Sequence, residues 1–312
     1  MVGENNPLVS INVITYNSSK FVLETLESAK AQTYQNIELI VSDDCSTDNT
    51  VEICREWIEK NKDRFVRTEL ITVEKNTGIA ANCNRAVKAC RGEWIKGIAG
   101  DDALMHNCID VYIDHIKEFP NKLVLYSNVA HYIGTLKEEQ RQEIFKTENL
   151  KISQPEIKAK EQFEILLRIN KVWAGSLFIA RKIFDEIGYY DDSVRLWEDR
   201  PMLLKITKND IKLHFVNFIS CKYRLNPNSV QSQKNKQQLI TSFQLERDLY
   251  YINNYLKYLP WFERLINWIL LKRIVFIEQI NCNKDTIIVK LFLSLTSFPW
   301  SHIRARINRK YL

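Results

Sequence analysis

Glycine is scarce in this chain, with eight residues in 312, and no stretch reads G-x-G-x-x-G or G-x-x-x-x-G-K-[ST]. That excludes the dinucleotide-binding fingerprint and the P-loop, so a nucleotide held here must be gripped by side chains and a metal. The seven cysteines (Cys45, Cys54, Cys83, Cys90, Cys108, Cys221 and Cys282) are odd in number and lack a C-x-x-C pair. This argues against a disulfide framework and for reduced, mostly buried thiols. No uninterrupted apolar run reaches the roughly 20 residues of a membrane-spanning helix. The opening Met-Val-Gly-Glu-Asn-Asn-Pro has neither a basic n-region nor an apolar h-region, so no secretory signal is expected and a cytoplasmic location follows. Repeats and low-complexity segments are also missing.

What remains is an ordinary globular composition, 45% hydrophobic and 26% charged, which suits one large domain with an appendage, or two domains. The net charge of +6 is unevenly spread: residues 201–312 hold 18 Lys or Arg against 6 Asp or Glu, or +12, which leaves −6 for residues 1–200. A basic C-terminal third on an acidic body points to an anionic partner such as a membrane surface. Nucleic acid is set aside, because the basic residues accompany apolar runs and no binding motif.

Apolar β-rich runs at Leu8 to Thr15, Ile37 to Ser42, Leu70 to Val73 and Glu93 to Ile98 read as buried strands. Between them lie helical spacings: Val22, Leu26 and Ala29 after a cap at Ser18 or Ser19; Val51, Cys54 and Ile58 after a cap near Ser46 or Thr47; and Ile79, Cys83, Ala86 and Cys90. Strands alternating with amphipathic helices predict an α/β fold with a mostly parallel sheet. In such sheets ligands gather beyond the carboxyl ends of the strands. Those ends carry Thr15-Tyr16-Asn17, Asp43-Asp44, Asn76 to Gly78, and Gly100-Asp101-Asp102. Two adjacent carboxylates closing a strand beside small residues suit a hard cation such as Mg²⁺ or Mn²⁺, although Gly-Asp-Asp alone also fits a polar turn.

Further along, Ile109, Ile113 and Ile116 mark a helix and Leu123 to Tyr126 a short strand. Gly134 to Gln162 is expected to be a mobile loop or, preferably, a solvated helix pair. Trp173 to Ile179 is expected to be a strand entering the crevice. Pro201 favours the first turn of a helix, with Glu198 or Asp199 at its cap. Pro260 to Ile280 and Thr286 to Trp300 mix aromatic and basic residues; they fit a helix lying in a membrane interface or a helical tail packed on the body. Residues 1–230 and 231–312 are therefore read as a catalytic domain and a basic, aromatic helical extension.

Six segments, in order, resemble the bacterial family 2 glycosyltransferases of GT-A fold: Ser10 to Asn17, Ser42 to Asp48, Asn76-Thr77-Gly78, Gly92-Glu93-Trp94-Ile95, Gly100-Asp101-Asp102 and Trp197-Glu198-Asp199. The resemblance covers roughly residues 7–230. It implies inverting transfer of a sugar from a nucleotide diphosphate donor, most often a UDP-sugar, to an acceptor hydroxyl of a glycan or lipid-linked acceptor, with Mn²⁺ or Mg²⁺. It also implies that Thr15 and Tyr16 line the nucleoside pocket and Asp44 bonds the base. Asp102 would ligate the metal, Asp101 would contact ribose or a metal-bound water, and Asp199, paired with Glu198, would act as general base. Asn17, Asn76 and Gly78 join the nucleotide set, and Trp173, Gly175 and Trp197 the sugar and acceptor pocket.

Three departures from the family pattern stand out. Asn82-Cys83-Asn84 replaces Ala-Arg-Asn, leaving Asn82 or Arg85 to reach the nucleotide. The metal element opens with Gly100 and so offers two carboxylates. Tyr223-Arg224-Leu225-Asn226 has Asn226 where a Tyr-Arg-x-His segment has histidine, with Arg224 left to clamp the diphosphate. His214 is read as structural. Two other classes are compatible with these residues: a metal-dependent nucleotidyltransferase, which would release pyrophosphate, and a non-catalytic nucleotide-sugar or membrane-binding module.

Overall fold

The computed structural model describes residues 6–225, 239–280, 282–284 and 286–312. The first four apolar runs form strands β1 (Val9–Thr15), β2 (Ile37–Asp43), β3 (Arg67–Ile71) and β4 (Trp94–Ala99), alternating with helices α1 (Val22–Lys30), α2 (Thr50–Asn61) and α3 (Ile79–Ala89). They pair in parallel in the order β3-β2-β1-β4. Ser10, a polar interruption of β1, is satisfied inside the core: its Oγ donates to Glu38 Oε1 at 2.5 Å. Glu38, fully buried on β2, also accepts from Arg67 Nη1 and Gly92 N, each at 2.9 Å. A buried charge so paired is tolerated where an unpaired one is not.

The helix starts differ from expectation. At α1 the cap position is Phe21, and it is the carbonyl of Ser18 that accepts from Phe21 N and Val22 N, at 2.9 Å each. At α2 it is Asn49, while Asp48 Oδ1 accepts from Thr50 N at 3.1 Å and the buried side chains are Thr50, Cys54 and Trp57. Neither end uses Ser18, Ser19, Ser46 or Thr47 as a side-chain cap.

The chain continues through β5 (Ala103–Leu104), α4 (Cys108–Glu118), β6 (Val124–Ile133), β7 (Arg141–Phe145), α5 (Ala159–Leu166), β8 (Phe178–Ala180), α6 (Arg181–Ile187), α7 (Asp199–Lys208) and β9 (His214–Leu225). The sheet extends beyond β4 in the order β8-β6-β9-β5 with β7 beside β6, and this half is mixed: only β9 runs parallel to β6. Two expectations are corrected here. Residues 134–162 are neither a free loop nor a helix pair, because β7 folds back on β6 in a hairpin. The stretch from Trp173 is strand only from Phe178; Ala174–Ser176 is a helical turn.

Helices α8 (Ser242–Asn254), α9 (Trp261–Gln279), α10 (Ile287–Ser297) and α11 (Trp300–Asn308) complete the chain. Tyr251, Leu256, Leu259 and Leu271 join the main hydrophobic core. A buried bidentate ion pair, Arg168 Nε and Nη2 to Glu263 at 2.8 and 2.9 Å, ties the end of α5 to α9. Among the described residues no helix is long and apolar enough to cross a membrane. All seven cysteines are free thiols, four of them buried.

Candidate active site

β4 ends in a tight turn that presses against the end of β1. Gly100 N donates to the Ile14 carbonyl at 2.9 Å, and a Cβ on Gly100 would lie 2.8 Å from Thr15 Cγ2, so only glycine fits without displacement. The turn presents Asp101 and Asp102. Asp102 is held from two directions: its carbonyl accepts from Thr25 Oγ1 at 2.6 Å, and its Oδ1 accepts from the backbone N–H of Arg224 at 2.8 Å. Burial raises the pKa of Asp101, and burial reinforced by the Asp101 charge raises that of Asp102.

Across the cavity α7 opens with a second carboxylate pair. Glu198 occupies the cap position without a side-chain cap bond, and Asp199 is the first helical residue. Asp199 Oδ1 accepts from Arg200 N at 2.6 Å and its Oδ2 from Asn170 Nδ2 at 3.1 Å. Burial raises both acids. Glu198, pushed up to about 8 by burial and then by the Asp199 charge, is the one that keeps its proton at neutral pH. At Asp199 the bonds from Arg200 N and Asn170 Nδ2 oppose that rise.

Both pairs line one cavity of about 560 Å³. Its floor is Asn12, Ile14, Gly97 and Ala99 of β1 and β4; Ile79 and Cys83 of α3 also line it. Trp173, Gly175 and Trp197 line it too. Lys96, fully buried on β4, fastens the Gly175 turn to the floor, its Nζ donating to the carbonyls of Gly175 at 2.5 Å and Gly97 at 3.0 Å. Tyr223, its ring tilted 52° against that of Trp173 at 4.9 Å between centroids, closes one side. Phe243 and Arg247 of α8 complete the wall.

The expected nucleotide-binding residues form a separate rim around the ends of β1, β2 and β3. Thr15 Oγ1 donates to Asp43 at 2.8 Å, and Asn17 Oδ1 accepts from Thr47 N at 2.8 Å with a backbone φ of +50°. Asp44 accepts from Thr77 N, Thr77 Oγ1, Gly78 N and Arg85 Nη2 within 2.6–3.0 Å. These bonds outweigh the effect of its burial and hold the Asp44 carboxyl below the usual range. Asn82 bridges Ser42 Oγ, Arg85 Nη2 and the Thr15 carbonyl, and Asn76 Nδ2 donates to the Asp44 carbonyl at 3.2 Å. Asp44, Asn82 and Arg85 therefore spend their polar atoms chiefly on each other, whereas the Tyr16 ring stands exposed.

Arg224 requires a correction. It is buried, its Nε donates to the Asp101 carbonyl at 2.8 Å, and its other nitrogens bind the Gly134 carbonyl and Glu24. A guanidinium so occupied and absent from the cavity wall fixes the Asp101-Asp102 turn and is not placed to clamp a diphosphate. Asn226 lies outside the described residues. His214 is half-buried on β9, and burial together with Lys212 and Lys122 pushes its pKa down to about 4.

The profile of glycosyl transferase family 2 matches residues 10–184. The UDP-Glc:alpha-D-GlcNAc-diphosphoundecaprenol beta-1,3-glucosyltransferase WfaP of Escherichia coli is 30% identical over 233 residues, 74% of this chain and 82% of that one. The chain belongs to glycosyl transferase family 2. It spans 59% of the length of another relative, an uncharacterized glycosyltransferase of Rickettsia typhi that is 28% identical over 210 residues. Among solved structures, S. aureus TarS 1–349 in complex with UDP-GlcNAc superposes with a TM-score of 0.59 at 20% identity, covering 85% of this chain and 72% of that one. A mannosyltransferase from Pyrobaculum calidifontis in complex with GDP-Man and Mn²⁺ gives 0.53 at 18% identity, covering 81% and 64%. The fold is GT-A.

In this family 2 chain, the donor set for a cation is limited. Among the described residues no group of three or more His, Cys, Asp or Glu side chains is arranged to hold a metal. The Asp101-Asp102 pair offers hard oxygens and leaves further positions to ligand oxygens, which fits Mg²⁺ or Mn²⁺ shared with phosphates rather than a fully protein-caged ion. Sequence reasoning assigned no role to Lys96, Asn170, Tyr223, Phe243 and Arg247. Two carried a local signal: Lys96, a charge inside a strand otherwise apolar on both sides, and Tyr223, which opens the Tyr223-Arg224-Leu225-Asn226 segment.

Proposed function

We propose that this chain is an inverting glycosyltransferase that moves a sugar from a nucleotide diphosphate donor, a UDP-sugar, to an acceptor hydroxyl of a cell-surface or lipid-linked glycan. The observation that carries the reading is the meeting of two carboxylate pairs, Asp101-Asp102 and Glu198-Asp199, from distant segments in the wall of one cavity. Residues 1–230 would form the catalytic unit, with residues 231–312 as an extension that lends Phe243 and Arg247 to the cavity.

Asp102, with Asp101 beside it, would hold Mn²⁺ or Mg²⁺, which when bound offsets charge on the departing diphosphate. The exposed Tyr16 ring would face the base. Asp44 would act by fixing the Asn76 to Gly78 loop through Thr77 and Gly78. The acceptor oxygen attacks the anomeric carbon from the side opposite the leaving group; its bond forms as the bond to the phosphate oxygen breaks, and Asp199 takes the hydroxyl proton. Protonated Glu198 keeps a second negative charge away from that base. Trp173, Trp197 and Tyr223 would exclude water and seat the sugar.

The test is transfer by purified protein supplied with a panel of UDP-, GDP- and dTDP-sugars, with and without Mn²⁺. Asp102→Asn should lose metal-dependent UDP binding, read by calorimetry. Asp199→Asn should keep that binding and lose transfer. Turnover by Asp199→Asn near the wild-type rate would remove Asp199 as base.

A further inference from the structure

Helix α9 is apolar on two faces. Ile266, Leu270, Ile274 and Ile277 face the protein and are buried. On the opposite side Trp261, Leu265, Trp268, Phe276 and Ile280 follow at intervals of three or four residues, or a multiple of four, and are exposed, Trp261 by 75%. Helix α10 repeats the pattern. Val289 and Leu293 pack on Ile240, Ile274 and Ile277, while Ile287, Ile288, Leu291 and Leu295 face outward, Ile288 by 79% and Leu295 by 74%. The rings of Phe276 and Phe292 lie 6.4 Å apart, joining the two helices, and Arg273 bonds the Leu293 carbonyl. Monomeric soluble proteins rarely leave so many large apolar side chains together in water.

We infer that the outer faces of α9 and α10 form a docking surface for an anionic lipid bilayer, with both helices lying in the plane of the interface. Charge selects this occupant. Residues 261–312 carry nine Lys or Arg against three Asp or Glu, or +6. One of the three acids, Glu263, is turned inward and paired with Arg168. Exposed Lys272 sits within the apolar stripe of α9 between Trp268 and Phe276. Against a second copy of the chain that ammonium would be buried without a partner, at a cost. At a bilayer its aliphatic stem covers apolar surface while the head reaches lipid phosphate. Two tryptophans on the same face suit the headgroup level, and no described helix is long enough to leave the interface by crossing. The docking surface is independent of the transfer reaction.

The full chain is floated with phosphatidylcholine vesicles and with vesicles that also contain phosphatidylglycerol, and its tryptophan emission is recorded with brominated acyl chains. Binding is expected to be on the order of fivefold tighter to the anionic vesicles, given the interfacial ammonium of Lys272, with bromine quenching that falls in Trp261→Phe/Trp268→Phe. Trp268→Glu/Leu295→Glu should abolish flotation with an unchanged melting curve, since both side chains point away from the core. Equal binding to both vesicle types, or unaltered flotation of the double glutamate variant, overturns the inference. So does a wild-type dimer that the same variant disperses without vesicles. UDP binding by calorimetry on the same samples separates failure of this surface from failure of the transferase reading.

Discussion

Asn170 Nδ2 donates to Asp199 Oδ2 at 3.1 Å from the segment that follows α5, so the proposed base is oriented by a residue from a different part of the chain. The bond favours the ionised form of Asp199 against the burial that raises its pKa. Asn170→Ala should therefore raise that pKa further and move the acidic limb of the kcat–pH profile to higher pH. The loss in kcat at neutral pH is expected to be on the order of tenfold, with the donor KM little changed. A profile that keeps its limb while KM rises would assign Asn170 to binding.

Glu198 and Asp199 should respond oppositely to neutralisation. Glu198→Gln mimics the protonated acid and is expected to retain most activity at pH 7, whereas Asp199→Asn should cost about a hundredfold or more. The folded pKa of Glu198, about 8, lies above its unfolded value. The native state therefore binds the extra proton between the two values, and wild-type stability falls as pH rises through that window. Glu198→Gln should flatten this fall, as read from melting temperatures taken across the window from about pH 5 to about pH 8.

Lys96 should matter to the donor pocket without touching the donor. Lys96→Met removes the donor to the Gly97 and Gly175 carbonyls. The expected cost is about 1–3 kcal/mol for buried acceptors left unmade, measured by urea unfolding. Donor KM should rise more than kcat falls, because the Gly175 turn would be released beside Trp173.

Two glycines should separate fold from site. Gly78 has φ +97°, and a Cβ there would lie 2.7 Å from the Arg195 carbonyl, so Gly78→Ala is expected to cost roughly 1–3 kcal/mol or more. At Gly97 the Cβ would meet Asn12 Oδ1 at 2.9 Å, the movable end of a side chain with no hydrogen-bond partner. Gly97→Ala should leave the melting temperature nearly unchanged while narrowing the cavity, and the donor-sugar panel should register the change.

The sequence disclosed the first four strands because each is a local apolar run with an amphipathic helix behind it. It disclosed both carboxylate pairs because one closes an apolar strand and the other opens a helix just before Pro201. It showed only the start of β6, as a short strand ending at Tyr126; in the fold Asn128 Oδ1 accepts from Thr147 N at 2.8 Å and its Nδ2 reaches Asn217, so polar residues continue a buried strand. Asn170 and Arg247 were equally illegible, since an asparagine after a helix and an arginine on one look alike whatever they face. Arg224 was misplaced for a related reason: its partners Glu24 and Gly134 lie far away in sequence.

Phe243 and Arg247 give the cavity a history as well as a shape. During synthesis the floor strands β1 and β4 leave the ribosome long before α8 does, so the nascent chain holds the Asp101-Asp102 turn for well over a hundred residues before the Phe243 and Arg247 side of the cavity exists. A product broken off before residue 247 would keep that turn beside a crevice open on the α8 side. The cavity is thereby complete only after α8 has been made.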